Sequence, residues 1–431
     1  MDKNLNSDRV FLFLQGPHGP FFSQLAKMLE LAGCACWRVG FNAADKVFWR
    51  SRNSFISFNK PRSDWQTTFT NLATEKNITD LVLYGDTREI HHIAILEARK
   101  LNITVHVFEE GYVRPYWVTY ERDGSNGNSR LMQMSLAKMQ EDLTTYDLEA
   151  PMPPSHWGDT RQHVFYGALY HWFVMFANQA FPHFKPHRSL TVGQEFKLYL
   201  KRLCLQPTHA IARKLATNRI QRGGFPYHLV LLQLEHDASL QKHSPFGKTS
   251  EFLEMVIEQF AIGAPRHHHL VIKAHPLEDG RAAIRQSLKK LGHAFNISDR
   301  IHFVRGGKLA MLLDQAHSAV TINSTAAQQV LWRGLPLKIF GRAIYDKPEF
   351  VSHKELADFF AKPPPPNARG YRDFRRFLLE TSQVSGGFYS RKARQQLLRR
   401  VVDMMLAPYD PYDALTRRQL TQKSELKAPP Q

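Results

Sequence analysis

Cysteine is scarce. Cys34, Cys36 and Cys204 are the only three in 431 residues, too few for a disulfide framework. Cys34 and Cys36 are separated by a single residue, closer than ordinary bridge geometry accepts, and no Cys/His set has zinc-site spacing. The apolar stretch near the N-terminus, Val10 to Leu14, is too short for a signal-peptide core. These absences lead to the expectation of a reduced, cytosolic protein. There is also no Walker lysine loop, no GxGxxG and no HExxH. Acidic residues are few, 39 Asp and Glu against 57 Lys and Arg, for a formal charge of +18. The imbalance concentrates in residues 185–222, where nine Lys/Arg face one acid, Glu195. Such a stretch suits anionic lipid, an anionic substrate or nucleic acid, or is simply a solvated helix face. No zinc knuckle, helix-turn-helix or RNP-like signature accompanies it, which argues against a nucleic-acid partner. Residues 162–184 hold no Asp, Glu, Lys or Arg at all, yet His171, Asn178, Gln179 and Pro182 interrupt them. That pattern does not span a bilayer; it fits a helix lying in the membrane interface or one buried between domains.

What is present is globular, 43% hydrophobic and 12% aromatic, and long enough for two domains with connecting helices. Apolar runs and helical spacing alternate. VFLFL (10–14), CWRVGF, TDLVLYGD (79–86) and ITVHVFEEGY (103–112) read as strands, with FFSQLAKMLELAG and HHIAILEARKL as helices between them. The alternation restarts near 225 with HLVLLQ, HLVIKAHP (269–276), IHFVRGG, SAVTIN and LPLKIFG as strands. Continuous apolar strands separated by helices predict parallel, doubly wound sheets. The expected organisation is α/β and GT-B-like: two Rossmann-like domains facing a central cleft, with a helical connecting segment and C-terminal helices, one returning to the first domain. The boundaries read as 1–150, an aromatic and basic connector at 151–222, a second domain at 223–350, and C-terminal helices with a disordered tail at 351–431.

Ligands of open parallel sheets sit beyond the carboxyl ends of the strands. The polar clusters fall at such ends: Gly16–His18, Gly85–Arg88, Glu109–Gly111, Gln233–Asp237, Lys273–Pro276 and Asn323–Thr325. Gly16-Pro17-His18-Gly19-Pro20 could receive a phosphate or sugar, or be only a tight turn. Lys273 and His275, two apart on a strand that Pro276 ends, would face one side and could neutralise a leaving phosphate. Asn323-Ser324-Thr325 opens a helix, where a hydroxyl cap would leave backbone N–H groups for an anion; a plain N-cap reads the same way. Glu109 and Glu110 offer a carboxylate for general acid–base work, or two solvated acids. In LLQLEHDASLQKHSPF (231–246) an apolar strand is followed by Gln233, Glu235, His236, Asp237, Ser239 and His243, more polar chemistry than a turn requires.

FLQGPHGPFF, LYGDTREIHHIAILEA (83–98), VFEEGYVRPYWVTYE (107–121), LQLEHDASLQKHSPF, VIKAHP and INSTAAQQVLWRGLPLKIFGRAIYDKPEF, in that order, resemble the bacterial capsule polysaccharide biosynthesis/export family of KpsS-type β-Kdo transferases. The resemblance runs through roughly 10–130 and 225–350. Two positions depart from it: Ala43-Ala44-Asp45 stands where Gly-Gly-Asp is expected, and Ser125 where a hydrophobic residue is expected. It implies a retaining transferase that moves β-Kdo from CMP-Kdo onto a (lyso)phosphatidylglycerol acceptor, starting the poly-Kdo linker of a capsular polysaccharide without metal or other cofactor. The protein would be cytoplasmic and peripheral on the inner membrane, with other capsule biosynthesis or export proteins as further partners.

Retention at a ketosidic centre by double displacement needs an enzyme nucleophile. Asp237 is the candidate, with Glu235 its rival; Glu110 would exchange the acceptor proton, with Glu109 the alternative, and His275 would assist the phosphate. Gln233, Lys273, Pro276, Asn323, Ser324 and Thr325 would hold the donor; Gly16, His18, Asp86, Arg88 and Arg114 would hold the acceptor. Two other readings remain: a GT-B enzyme using a UDP-sugar, and a non-catalytic adaptor of capsule assembly or export.

Overall fold

The computed structural model describes residues 8–143, 160–184, 192–235, 243–276, 278 and 283–417; in the helix that begins at 192, side chains are described at 193, 194, 205 and from 208 onward. Asp237 and the tail beyond 417 lie outside the described residues. The chain divides into two compact units. The first comprises residues 1–130, 137–193 and 375–431, and the second residues 131–136 and 194–374.

Six strands open the first unit: β1 (Val10–Phe13), β2 (Ala35–Gly40), β3 (Phe55–Ser57), β4 (Asp80–Tyr84), β5 (Thr104–Glu110) and β6 (Trp117–Arg122). The second unit carries β7 (Tyr227–Leu231), β8 (His269–Ala274), β9 (Ile301–Arg305), β10 (Ala316–Thr321) and β11 (Leu337–Ile339). A last strand, β12 (Gln383–Ser385), returns to the first sheet, whose order is β12-β6-β5-β4-β1-β2-β3.

In β1 the side chains split by parity. Phe11 and Phe13 enter a core with Phe21, Leu25, Phe108, Leu397 and Val401, while Leu12 and Leu14 enter another with Trp65, Phe69, Leu83 and Val107. Both faces of the sheet are therefore covered, as the continuous apolar runs required. Helix Phe21–Leu31 ends where Gly33 takes φ +93°, with Gly33 N–H donating to Glu30 and Cys34 N–H to Leu29, a Schellman stop. Helix Arg391–Leu406 packs back onto the first unit through Leu397, Val401 and Met405, as expected of the returning C-terminal helix.

The first sheet is not wholly parallel, which corrects the sequence expectation. β6 runs antiparallel to β5, and β12 antiparallel to β6. The chain reverses after Glu110 because Gly111 sits against Trp117: a Cβ at Gly111 would lie 2.2 Å from that carbonyl oxygen. The second sheet, β11-β10-β7-β8-β9, is parallel throughout. Its core joins Val230, Ile272 and Val320 to Phe252, Val256 and Phe260 of helix Thr249–Gly263, and to Phe359 and Phe360 of helix Leu356–Ala361. The second unit thus continues past 350, through Phe374. Two doubly wound units in series, with the last helix returned to the first, is a GT-B-like organisation of the chain.

At the amino-terminal ends of these strands, away from the polar edge, histidines cluster. His228 is fully buried, its Nδ1 2.7 Å from Ser318 Oγ and its Nε2 2.9 Å from His268 Nδ1. Burial, then neighbouring His268 and His317, pushes His228 down to about 3 from 6.5. An imidazole depressed in the fold favours the unfolded chain once protons are available there. Its contribution is complete above about pH 6.5 and falls by about 1.4 kcal/mol per pH unit as pH drops toward the folded value. Glu109 and Glu121 of the first unit, both raised to about 7, act with the opposite sign. The prediction is therefore differential. Between pH 7 and pH 5, denaturant melts of the native chain should lose more stability than those of His228→Gln; equal losses would show that this imidazole does not titrate as its burial demands.

Candidate functional site

In the first unit, β1, β4 and β5 end side by side and deliver Gln15, Gly85, Asp86, Arg88, Glu109 and Glu110 to one edge. Gly85, at φ +71°, is required for this geometry, since a Cβ there would sit 3.1 Å from Glu109 Oε2. Its carbonyl accepts from His91 Nδ1 at 2.6 Å. Asp86 is buried; Oδ2 accepts from Ser125 N–H (2.9 Å) and Asn128 Nδ2 (3.0 Å), which fastens the loop after β6, and Oδ1 has no hydrogen-bond partner among the described residues. Ser125 is fully buried in that loop, at the position where an apolar residue was expected. Arg88 donates from Nη1 to Gln15 Oε1 at 3.4 Å and lies over the Tyr84 ring, 5.7 Å from its centroid. Tyr84 in turn donates to Glu110 Oε1 at 3.2 Å. Arg114 donates from Nε to the Gly111 carbonyl at 3.1 Å.

The two carboxylates are no longer equivalent. Burial raises Glu109 to about 7; the Glu110 N–H that it accepts at 3.0 Å and Arg114 pull it down, while the charges of Glu110 and Asp86 push it further up. A carboxyl poised near neutrality both takes and returns a proton at physiological pH.

The glycine loop after β1 meets helix Thr160–Phe176. His18 stacks on Tyr170 with centroids 4.0 Å apart, Asn42 Nδ2 donates to Tyr170 Oη at 2.9 Å, and Tyr166 lies against Gly19. The docked side of this helix is thus aromatic and polar. Elsewhere it leaves Phe165 60%, Trp172 51% and Phe176 61% exposed, with Trp172 and Phe176 5.7 Å apart. No helix among the described residues is long and apolar enough to cross a membrane. Asp45, of the Ala43-Ala44-Asp45 departure, is spent internally, paired with buried Arg38 at 3.0 Å and accepting from Phe41 N–H at 3.0 Å.

In the second unit, Gln233 beyond β7 and Asn323 beyond β10 bind each other. Gln233 Nε2 donates to Asn323 Oδ1 at 2.8 Å, and Asn323 N–H returns a bond to Gln233 Oε1 at 3.1 Å. Asn323 Nδ2 also donates to the His243 carbonyl at 3.3 Å. These bonds correct the expected capping of a helix by Asn323–Thr325. The helix begins later, at Ala327, and its N-cap Ala326 has no side-chain cap; Ser324 Oγ accepts from Ala326 N–H at 3.2 Å, and Thr325 lies in the same turn. The Asn323 N–H is used up in holding the rim. His243 lines a separate open cleft of about 490 Å³ with Lys338, Gly341, Arg342 and His353.

Lys273 is only 6% exposed, and β8 ends one residue later at Ala274. His275 therefore lies in the turn, half-buried, its carbonyl accepting from Glu278 N–H at 3.0 Å; strand alternation does not place it on the Lys273 side, because Pro276 cannot continue the ladder. Burial, then the nearby Arg213, lowers Lys273 to about 8. Glu235 is described beside Gln233, whereas its rival Asp237 is outside the described residues. Sequence reasoning missed Gln15, Tyr84 and Tyr170 in the first unit and Arg213 in the second. Gln15 and Tyr84 directly adjoin the clusters at Gly16 and Gly85, but their residue types alone do not single them out; Tyr170 and Arg213 reach their sites from elements distant in the chain, so no local motif marks them.

The family model described as capsule polysaccharide biosynthesis protein matches residues 79–389. The Escherichia coli capsule polysaccharide export protein KpsS is 28% identical over 89% of this chain and 98% of its own length. The Neisseria meningitidis capsule polysaccharide modification protein LipB is 30% identical over 90% of this chain and 93% of its own. Among solved structures, the β-Kdo 2,7 transferase of Thermosulfurimonas dismutans KpsC aligns with a TM-score of 0.43 at 12% identity, covering 92% of this chain and all of that one. The matched family residues take in the strand ends of both units from β4 onward, and with relatives aligned over nine-tenths of its length the chain belongs to the capsule polysaccharide biosynthesis protein family.

Proposed function

We propose that this protein is a retaining glycosyltransferase that moves β-Kdo from CMP-Kdo onto a (lyso)phosphatidylglycerol acceptor and so starts the poly-Kdo linker of a capsular polysaccharide. One observation carries the chemistry: Lys273, a buried cation at a strand end, forms no ion pair with a carboxylate among the described residues. A nucleoside monophosphate leaving group would supply the missing negative charge and return the ammonium to its ordinary basicity. Kdo as the sugar rests on the resemblance of the ordered motifs.

In this reading the bond from the Kdo anomeric carbon to the CMP phosphate breaks while an Asp237 carboxylate oxygen attacks that carbon. CMP leaves with the bond's electron pair, its charge met by Lys273 and His275. The acceptor hydroxyl then displaces Asp237, and two inversions give retention. Glu109 takes the hydroxyl proton, because burial places its acidity near neutrality. Gln233 and Asn323 act by holding the rim, with Ser324, Thr325 and Pro276 around the donor. Gly16, His18, Asp86, Arg88 and Arg114 serve the acceptor. The exposed Phe165, Trp172 and Phe176 suit peripheral attachment to the cytoplasmic face of a membrane that holds a lipid acceptor.

Donor competition tests the assignment. CMP should inhibit transfer and UDP should not, and His275→Ala should lower turnover about a hundredfold, the scale of one lost transition-state charge partner. Inhibition by UDP alone would favour the UDP-sugar enzyme, and capsule assembly unaffected by loss of His275 would favour the adaptor.

A second prediction separates the carboxylates. Glu109→Gln should cut turnover by about 10²–10⁴ and remove the limb of the pH–rate profile near 7, while Glu110→Gln keeps that limb. The reverse pattern would move the proton to Glu110.

A further inference from the structure

Lys273 does not stand alone at its strand end. On helix Val192–Gly223, Arg213 lies across the loop after β9, where a Cβ built on Gly307 would come 2.7 Å from Arg213 Cδ and 3.2 Å from Cγ. Gly306 and Gly307 both take positive φ, 67° and 89°, and Gly306 packs against Pro276 with 3.3 Å between its built Cβ and the proline Cα. The loop is thus pressed between Pro276 and Arg213. Arg305, in register with Ala274 across β8 and β9, ends the same strand. Its Nη1 lies 2.6 Å from Nε2 of His209, which sits one turn before Arg213 on the helix, and its buried Nε has no hydrogen-bond partner among the described residues. Lys273 and Arg213 are near enough to oppose each other's charge. Among the described residues no carboxylate forms an ion pair with Lys273, Arg213 or Arg305.

Three cations at one strand end and its two-glycine loop, one of them buried and none paired with a described carboxylate, is an arrangement that folding alone does not favour, because like charges repel and a desolvated charge needs a partner. A ligand that brings negative charge removes the penalty. Guanidinium groups match the oxygens of a phosphate in pairs, and a loop of two positive-φ glycines lets an anion approach the backbone without side-chain obstruction. We propose that Arg213 and Arg305 complete, with Lys273 and the Gly306–Gly307 loop, a phosphate-binding site of the second unit. It deepens the donor assignment above, and rests on that reading only in identifying the phosphate as the nucleotide's; a phospholipid headgroup presents the same chemistry. The basic helix would then owe part of its charge to substrate binding.

Calorimetric titration of the full chain with CMP, cytidine, inorganic phosphate and phosphatidylglycerol vesicles tests the site. Arg213→Gln should weaken CMP and phosphate by roughly tenfold, the loss of one charge-assisted contact, leave cytidine and vesicle binding unchanged, and be partly restored in Arg213→Lys. Lys214→Gln, which removes the same charge from the next position of the helix, should bind all four as the native chain does. Weaker vesicle binding with CMP unchanged would keep the phosphate site and assign it to the lipid. Phosphate, CMP and vesicle binding all unaffected by Arg213→Gln would overturn the proposal, and so would an equal loss in Lys214→Gln. Because inorganic phosphate carries neither base nor sugar, its result holds whether the donor proves to be CMP-Kdo, a UDP-sugar or neither. Thermal melts of each variant separate lost binding from lost folding.

Discussion

A parallel strand covered by helices on both faces can keep polar groups only at its ends. That constraint organises both units. β7 is buried along its whole length, β8 nearly so, and β1 gives alternate side chains to two separate cores. Side chains that could do chemistry are displaced to the strand ends, where the carbonyl-terminal edge collects Gln15, Asp86, Arg88, Glu109 and Glu110 in one unit and Gln233, Lys273, His275 and Asn323 in the other. Where polar side chains do occur inside the sheets, they are locked. Asp80 pairs with His106 at 2.7 Å, and His106 with Tyr120 at 2.8 Å, deep within the first sheet. That group holds strands together and offers nothing to a ligand.

The two edges solve opposite electrostatic problems. In the first unit, burial and neighbouring Glu110 and Asp86 discourage ionisation of Glu109, so a proton waits there near neutral pH. In the second, burial discourages the charged form of Lys273 while Arg213 adds to the strain, so an anion at this edge would be favoured. In the proposed reaction the first kind of edge would take a proton from a hydroxyl and the second would stabilise a departing phosphate. The histidines at the far ends of β7 and β8 answer to neither need; His228 and His268 are hydrogen-bonded to each other, and His228 packs with Phe260 and Phe360. Their chemistry is structural, and a motif search for imidazoles alone would have been misled by it.

Strands of the parallel cores were legible in the sequence because an apolar run of four to six residues ending in Gly, Asp or Pro has few other readings. The polar edge was legible for the same reason: each cluster directly follows such a run. β6 and β12 were not, since they pair antiparallel at the side of the sheet and their side chains are packed by a segment more than two hundred residues away. The raised pKa of Glu109 could not be read from its spacing, because it depends on burial and on Asp86, which arrives from another strand. Asn323–Thr325 had the residue types of a helix cap, but a partner ninety positions back, Gln233, claims the Asn323 amide and the cap never forms. Arg213 and Arg305 were invisible for the mirror reason. Only the fold brings them to the strand end of Lys273, where no described carboxylate pairs with any of the three.

The central claim is that this chain transfers a sugar acid to a lipid. It is tested most directly by incubating the purified protein with CMP-Kdo and a fluorescent phosphatidylglycerol analogue and weighing the lipid by mass spectrometry. The account predicts a lipid heavier by whole Kdo units, with CMP released in equal number and the new linkage in the β configuration of the donor. Lipid of unchanged mass, with CMP-Kdo intact or merely hydrolysed, would contradict it.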